Sequence, residues 1–251
     1  GDCRPLTVDC KYIMVTIKEV SSRKELKQFI RFANELYNDN PYYTPCLEFD
    51  ELNTFDTKKN PALDHSKFAN FLAYKDGKVV GRITAIINEL ANEHWDCKKV
   101  RFGWFDFIDD YEVSRALLDA VADWGRQHGM TAMNGPVGFT DFDHQGLLLE
   151  GYDYVSPMAS LYNYPYYIDH FDRYGLVKEA DWIEFLVSTP HEIPEKMERV
   201  AKIVMEKYKI RIDKVRTVKE LKEKYGYSYF DVIDAAYQPL YNFQPLTQRQ
   251  K

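Results

Sequence analysis

The hydrophobic pattern of this chain changes period again and again, and that alternation limits its fold more than any other feature. MVTIKEV at 14–20 alternates as a strand does, and Ser22 with Glu25 then forms a capping-box signature. Leu26, Phe29, Ile30, Ala33, Leu36 and Tyr37 follow at helical spacing. After an irregular stretch holding Pro41, Pro45 and Pro61, FANFLAYKDGKVVGRITAII reads as two strands joined at Asp76-Gly77, a dipeptide suited to a tight hairpin. VRFGWFDF continues as a strand. A helix then follows, capped by Asp109 with Glu112, with an apolar face of Val113, Ala116, Leu117, Ala120, Val121 and Trp124, and it is stopped by Gly129. Beyond it the pattern predicts a short strand at TAMNGPV, a loop and helix at FTDFDHQGLLLEG, a strand near VSPMASLYN, a helix from Pro165 to Tyr174 and a strand within VKEADWIEFLVS. Mixed alternation of this kind implies an α/β fold, a central sheet with helices on its faces.

Composition excludes several functional classes. Lys and Arg total 33 against 39 Asp and Glu, a net charge of −6, which argues against nucleic acid as a partner. No apolar run approaches the ~20 residues of a membrane span, so the expectation is a cytoplasmic protein with no membrane partner. Cys3, Cys10, Cys46 and Cys97 form no C-x-x-C pair and have no His at zinc-ligand spacing, so no metal is expected. There is no H-E-x-x-H, no G-x-S-x-G and no phosphate loop of the G-x-x-x-x-G-K-S/T form. The 19 Tyr and 15 Phe exceed what a minimal core requires, and several cluster between Tyr162 and Phe171, where they line a pocket or simply pack.

The sequence also repeats. VTIKEVSSRKELK at 15–27 aligns without gaps with IRIDKVRTVKELK at 210–222, matching at 6 of 13 positions, and Ser22 meets Thr217 at the helix-cap position. The expected organisation is an extraneous or disordered extension over 1–13, a first module over 14–188, a connecting helix over 189–208 and the truncated start of a second module over 209–251.

Three segments carry a resemblance to a known family: the hairpin DGKVVGRI, the helix SRALLDAVADWGRQHGM and the stretch YIDHFDRYGLVKEADW. In this order they resemble the GNAT acetyltransferase superfamily, and GPVGFTDFDHQGLLLEGYD is similar to a bacterial subgroup with two such modules in tandem. The resemblance implies a mixed, mainly antiparallel sheet that opens between its fourth and fifth strands. It implies acetyl-CoA or another acyl-CoA as cofactor, with pantetheine on the fourth-strand backbone at Trp104, Phe105, Asp106 and Phe107. The pyrophosphate would lie at the helix start, by Val113 and Ser114, where unpaired N–H groups and the helix dipole favour an anion.

The chain departs from the family pattern at that helix start. Asp109 stands where the family has Gln or Arg, Glu112 at the first glycine and Ser114 at the second, so carboxylates confront the phosphate and the cradle is expected to be self-capped. Phe171 stands where the family often has a Tyr acid. The candidate catalytic residues are Asp106, Asp141 and Tyr162, with a carboxylate neutralising an amine substrate. Asp141, Asp143, His144 and Gln145 form a dense polar loop at a strand end, where open sheets place ligands. The same residues also read as a helix cap with a solvated loop. A small-molecule pocket would join Asp143, His144 and Gln145 to Asn163 and Tyr166. Two functions remain open: an acyl-CoA-dependent N-acyltransferase working with a second module of the same protein, or a non-catalytic ligand-binding or scaffolding module. Transfer from aminoacyl-tRNA is disfavoured by the net acidity.

Overall fold

A computed structural model describes residues 14–251; the expectation of an extraneous segment at 1–13 lies outside the described residues. The first strand, β1 (Thr16–Glu19), leads into helix α1 (Arg23–Leu36), whose N-cap Ser22 and Glu25 form the expected capping box. Helix α2 (Glu48–Thr54) and a 3₁₀ turn at Pro61–His65 then bring the chain to the long hairpin β2 (Ser66–Lys75) and β3 (Lys78–Asn88). Asp76 and Gly77 turn this hairpin with positive φ of 51° and 74°, as a two-residue primed turn requires. The short α3 (Glu89–His94), strand β4 (Lys99–Phe107), helix α4 (Tyr111–Gln127), strand β5 (Ala132–Asn134) and helix α5 (Tyr166–Tyr174) complete the sheet region. Helices α6 (Glu195–Tyr208), α7 (Val218–Tyr225) and α8 (Ser228–Tyr237) follow. Among the described residues no helix is long and apolar enough to cross a membrane.

The sheet is five-stranded in the order β1-β2-β3-β4-β5. Its first three pairings are antiparallel and β4–β5 is parallel, so the sheet is mixed and mainly antiparallel, as the resemblance implies. Because side chains alternate across a strand, β2, β3 and β4 feed two cores. On one face Phe71, Ile83, Phe102 and Phe107 pack with Leu117 and Val121 of α4 and Phe171 of α5. On the other, Leu72 and Ile86 pack with Phe29 and Ile30 of α1, Phe55 and Phe139. Burial on both faces explains the nearly unbroken apolar run of β3.

Several expected elements do not form. No strand occurs at VSPMASLYN or within VKEADWIEFLVS, and no helix at FTDFDHQGLLLEG. The ladder that would receive further strands stops at Asn134, ahead of Gly135 and of Pro136, which has no N–H to donate. Val177, Ile183, Phe185, Leu186 and Val187 therefore remain exposed, without a sheet edge to join. In the repeat, Thr217 accepts from the Glu220 N–H to cap α7 as Ser22 caps α1, but residues 210–215 form no strand.

Gly103 lets β4 and the segment after β5 approach. A Cβ there would lie 2.8 Å from the Val137 carbonyl oxygen, which is backbone and cannot swing aside. Gly103→Ala should therefore destabilise the chain by about 1–3 kcal/mol, read as a lower urea midpoint with an unchanged slope.

Candidate functional site

Strand β4 is irregular where the site begins. Its register against β3 shifts between Arg82 and Thr84, and Trp104 takes a positive φ of 46°. The indole of Trp104 turns into the α1-side core beside Phe55 and Phe139, and its Nε1–H donates to Glu51 at 2.6 Å. Beyond the Val137 N–H to Phe102 carbonyl bond, at 2.8 Å, β4 has no strand partner on its β5 side among the described residues. A helix N-terminus follows three residues after this free edge. A mainly antiparallel sheet with a free β4 edge beside a helix start is the arrangement that the resemblance implies.

The edge is filled by the chain itself. Tyr166 and Tyr167 reach it from α5: the Phe107 N–H donates to the Tyr167 hydroxyl at 3.2 Å, and the Tyr166 hydroxyl donates to the Phe107 carbonyl at 2.5 Å. The Tyr167 hydroxyl lies 2.7 Å from that of Tyr37, which donates to Asp106 Oδ1 at 3.0 Å. Asp106 Oδ2 is held by Arg82, whose Nε and Nη2 both lie at 2.7 Å. Arg82 Nη1 also donates to the Phe29 and Ile30 carbonyls of α1, at 3.0 and 3.2 Å. The network is buried: Arg82 is 5% exposed, Asp106 7%, Tyr37 1% and Tyr167 2%. Burial and then the neighbouring Tyr167 and Asp106 push the Tyr37 phenol well above its ordinary range. Burial and then Asp106 do the same for Tyr167. For Arg82, burial works to lower the pKa, but Asp106 and Glu51 outweigh it and the net shift is upward.

The start of α4 is likewise engaged. Asp110, rather than the expected Asp109, is the N-cap: its carboxylate accepts from the Glu112 N–H at 3.0 Å and pairs with Lys75 at 2.6 Å. Burial raises the Asp110 pKa, but Lys75 and the Glu112 N–H lower it further, so the net shift is downward. Asp109 instead pairs with His170 Nε2 at 3.1 Å, and His170 Nδ1 meets the Ser114 hydroxyl at 2.8 Å. This Ser-His-Asp row is structural: Ser114 is fully buried, its hydroxyl donates to the Tyr111 carbonyl, and the row fastens α5 to the first turn of α4. A diphosphate at Val113 and Ser114 would meet Asp109, Asp110 and Glu112, with the cap N–H already taken. Pantetheine at Phe107 would have to displace two tyrosines. The residues present therefore do not fit acyl-CoA in the manner the resemblance implies.

The polar loop after β5 stands apart from this network. Asp143 Oδ2 accepts from the Thr140 N–H at 2.8 Å, while Asp141 Oδ1 and Gln145 Oε1 are buried without a partner. Burial pushes the carboxyls of Asp141 and Asp143 up. His144 Nε2 meets the Met158 carbonyl. Asp143 lines a cavity of ≈ 380 Å³ together with Thr140, Phe142, Phe230, Ile233 and Leu246. Asp106, Asp141 and Tyr162 do not line it. Tyr162 lies instead in the Tyr37 cluster, its ring 5.8 Å from that of Tyr37 and its hydroxyl accepting from Asn40. The expected grouping of Asp106, Asp141 and Tyr162 is thus divided between two places, because the aromatic segment 162–167 packs on α1. Asn163 is buried too and binds the backbone of Leu148 and Tyr164. Sequence reasoning missed Arg82 and Tyr37, although Arg82 inside an otherwise apolar strand was a visible signal for a buried ion pair.

No protein-family model matches the chain. Over 237 residues, 93% of this chain and 59% of the relative, it is 30% identical to Protein YghO of Escherichia coli K12. It is also 30% identical to the bacterial ceramide synthase of Caulobacter vibrioides, over 75% of this chain and 49% of that protein. The chain thus spans about half the length of the curated relatives it matches. Solved structures with some likeness include an aminoglycoside acetyltransferase from an uncultured soil metagenomic sample, at TM-score 0.42 and 11% identity, covering 70% of this chain and 97% of that one. Another is a tandem GNAT protein from the clavulanic acid biosynthesis pathway, at TM-score 0.36 and 14% identity, covering 48% and 37%.

The raised Asp141 pKa has a defined sign in stability. The native carboxyl holds its proton to higher pH than the unfolded one, so stability falls as pH rises from the unfolded carboxylate value, about 4, through the native pKa. Asp141→Asn removes that loss. Its melting temperature should rise relative to the parent as the pH increases above about 4.

Proposed function

We propose that this chain supplies the acceptor side of an N-acyltransferase, holding an amine that carries an apolar chain. The observation that carries this reading is the ≈ 380 Å³ cavity in which a half-buried carboxylate, Asp143, shares a wall with Phe142, Phe230, Ile233 and Leu246. A carboxylate in an apolar cavity favours a cation that brings its own hydrophobic tail. The named relative lends support, since a ceramide is by definition an amide of a fatty acid with a long-chain amine.

In this reading Asp143 anchors the ammonium with the oxygen that Thr140 leaves free. Asp141 lies on the same loop, outside the cavity wall, and its partnerless Oδ1 accepts a proton from the amine through one water. The neutral nitrogen can then attack an acyl carbonyl. Asp106, with Arg82 and Tyr37, positions α1 against β4. No step here runs through acyl-CoA bound at α4; the donor would be held by another part of the longer protein, consistent with a tandem arrangement.

A second reading, a ligand-binding module without chemistry, is favoured by the self-engaged α4 N-terminus and β4 edge. Both readings require the amine site, and they part on turnover: the module would leave acylation unchanged when Asp141→Asn is placed in the longer protein.

Calorimetric titration of the full chain with dodecylamine below its micellar concentration tests the site. Saturable binding is expected, weakened roughly 10–100-fold in Asp143→Asn, as loss of a charge-assisted hydrogen bond of about 1.5–3 kcal/mol implies. Equal affinity for dodecanoate, or no change in the variant, would overturn the proposal.

A further inference from the structure

The sheet carries a second buried charge, which has no ion-pair partner among the described residues. Arg101 of β4 is 4% exposed, and its one hydrogen bond is from Nη1 to the Gly138 carbonyl, at 3.5 Å. A guanidinium has five N–H donors, and among the described residues the others find no acceptor. No carboxylate lies within ion-pair distance of it there. Asp141 is the strongest opposing charge, but it forms no ion pair with Arg101. Burial accordingly pulls the Arg101 pKa down, the reverse of what happens at Arg82, which has Asp106.

Arg101 does not face solid packing. It lines a cavity of ≈ 270 Å³ with Asn134, Asn242, Lys99, Glu179 and Tyr241. That is space for several waters at about 30 Å³ each. Two further polar groups of this wall are buried without partners, the Asn242 amide nitrogen and the Asn134 amide oxygen, and both residues are 8% exposed. Lys99 and Glu179 satisfy each other at 2.8 Å, and Tyr241 donates to Glu179, so that pair closes one side and leaves the guanidinium as the free charge. The cavity is separate from the one that holds Asp143; the two share no lining residue.

We propose that this cavity is a binding site for a small oxyanion, a phosphate or a hydroxy-carboxylate, anchored by Arg101. Two oxygens of the anion would face the guanidinium fork, the bidentate geometry in which Arg exceeds Lys. Another oxygen would accept from Asn242, and the ligand's own hydroxyl would donate to Asn134. An oxyanion that also carries a hydroxyl complements every unpartnered group on this wall.

Thermal unfolding of the full chain in inorganic phosphate, in glycolate and in chloride at matched ionic strength tests the proposal, with Arg101→Met and Arg101→Lys alongside. The parent should show a saturable rise in melting temperature with phosphate, glycolate or both, beyond the chloride baseline. Response to one alone identifies phosphate or carboxylate as the source chemistry. Arg101→Met should melt no lower than the parent without ligand, because an unpaired buried charge has gone, and should lose the anion response. Arg101→Lys keeps the charge and loses the fork, so it should need at least tenfold more anion for half the effect. It keeps the test valid if the Met variant does not fold. No anion response beyond chloride in the parent, or an undiminished one in Arg101→Lys, would overturn the site.

Discussion

The pairing of Arg82 with Asp106 joins the elements that define the functional half of this sheet. Arg82 sits on β3, Asp106 on β4, and the carbonyls that receive the remaining Arg82 donor belong to α1. One guanidinium thus ties two strands to the helix that covers them, beside the β4 bulge. Leaving either partner alone in this interior would strand a charge at a cost of about 3–5 kcal/mol. The tyrosines extend the same tie: Phe107 N–H to Tyr167, Tyr167 to Tyr37, and Tyr37 to Asp106 form one run of hydrogen bonds ending on the carboxylate. Runs of this kind strengthen each member when all are satisfied.

That run also determines what the open edge of β4 can do. In a fold where β4 parts from β5, the free backbone is the natural place for a ligand that pairs like a strand. Here α5 delivers Tyr166 and Tyr167 to it, and Asp110 and the Asp109–His170–Ser114 row occupy the neighbouring helix start. The unsatisfied chemistry lies elsewhere, in the loop after β5 and along the lower part of β4, at Asp141, Asp143 and Arg101. A protein that spends its polar side chains closing one site while leaving others unpartnered directs attention to the latter.

Much of this architecture was legible in the sequence, and the exceptions share a cause. The capping box at Ser22, the Asp76-Gly77 hairpin and the stop at Gly129 are local devices, encoded within a few residues, and they form as read. Asp110 took the cap expected of Asp109 because neighbouring acids compete for the same N–H and only geometry separates them. The strands expected near 155–163 and within 177–188 have suitable side chains. Strand formation, however, needs a neighbour with free backbone, and the ladder beyond Asn134 provides none. Tyr162 and Asp141 could not be assigned to different clusters from sequence alone, since their separation depends on where the aromatic segment docks against α1.

The claim that the Arg82–Asp106 pair holds α1, β3 and β4 in register is tested most directly by a double-mutant cycle in denaturant. Arg82→Met and Asp106→Leu are compared with the variant carrying both changes. Each single change strands a buried charge, whereas the double change removes both, so the double variant should be more stable than either single one, with a coupling energy of about 3 kcal/mol or more. Additive losses, with the double variant the least stable, would contradict the account.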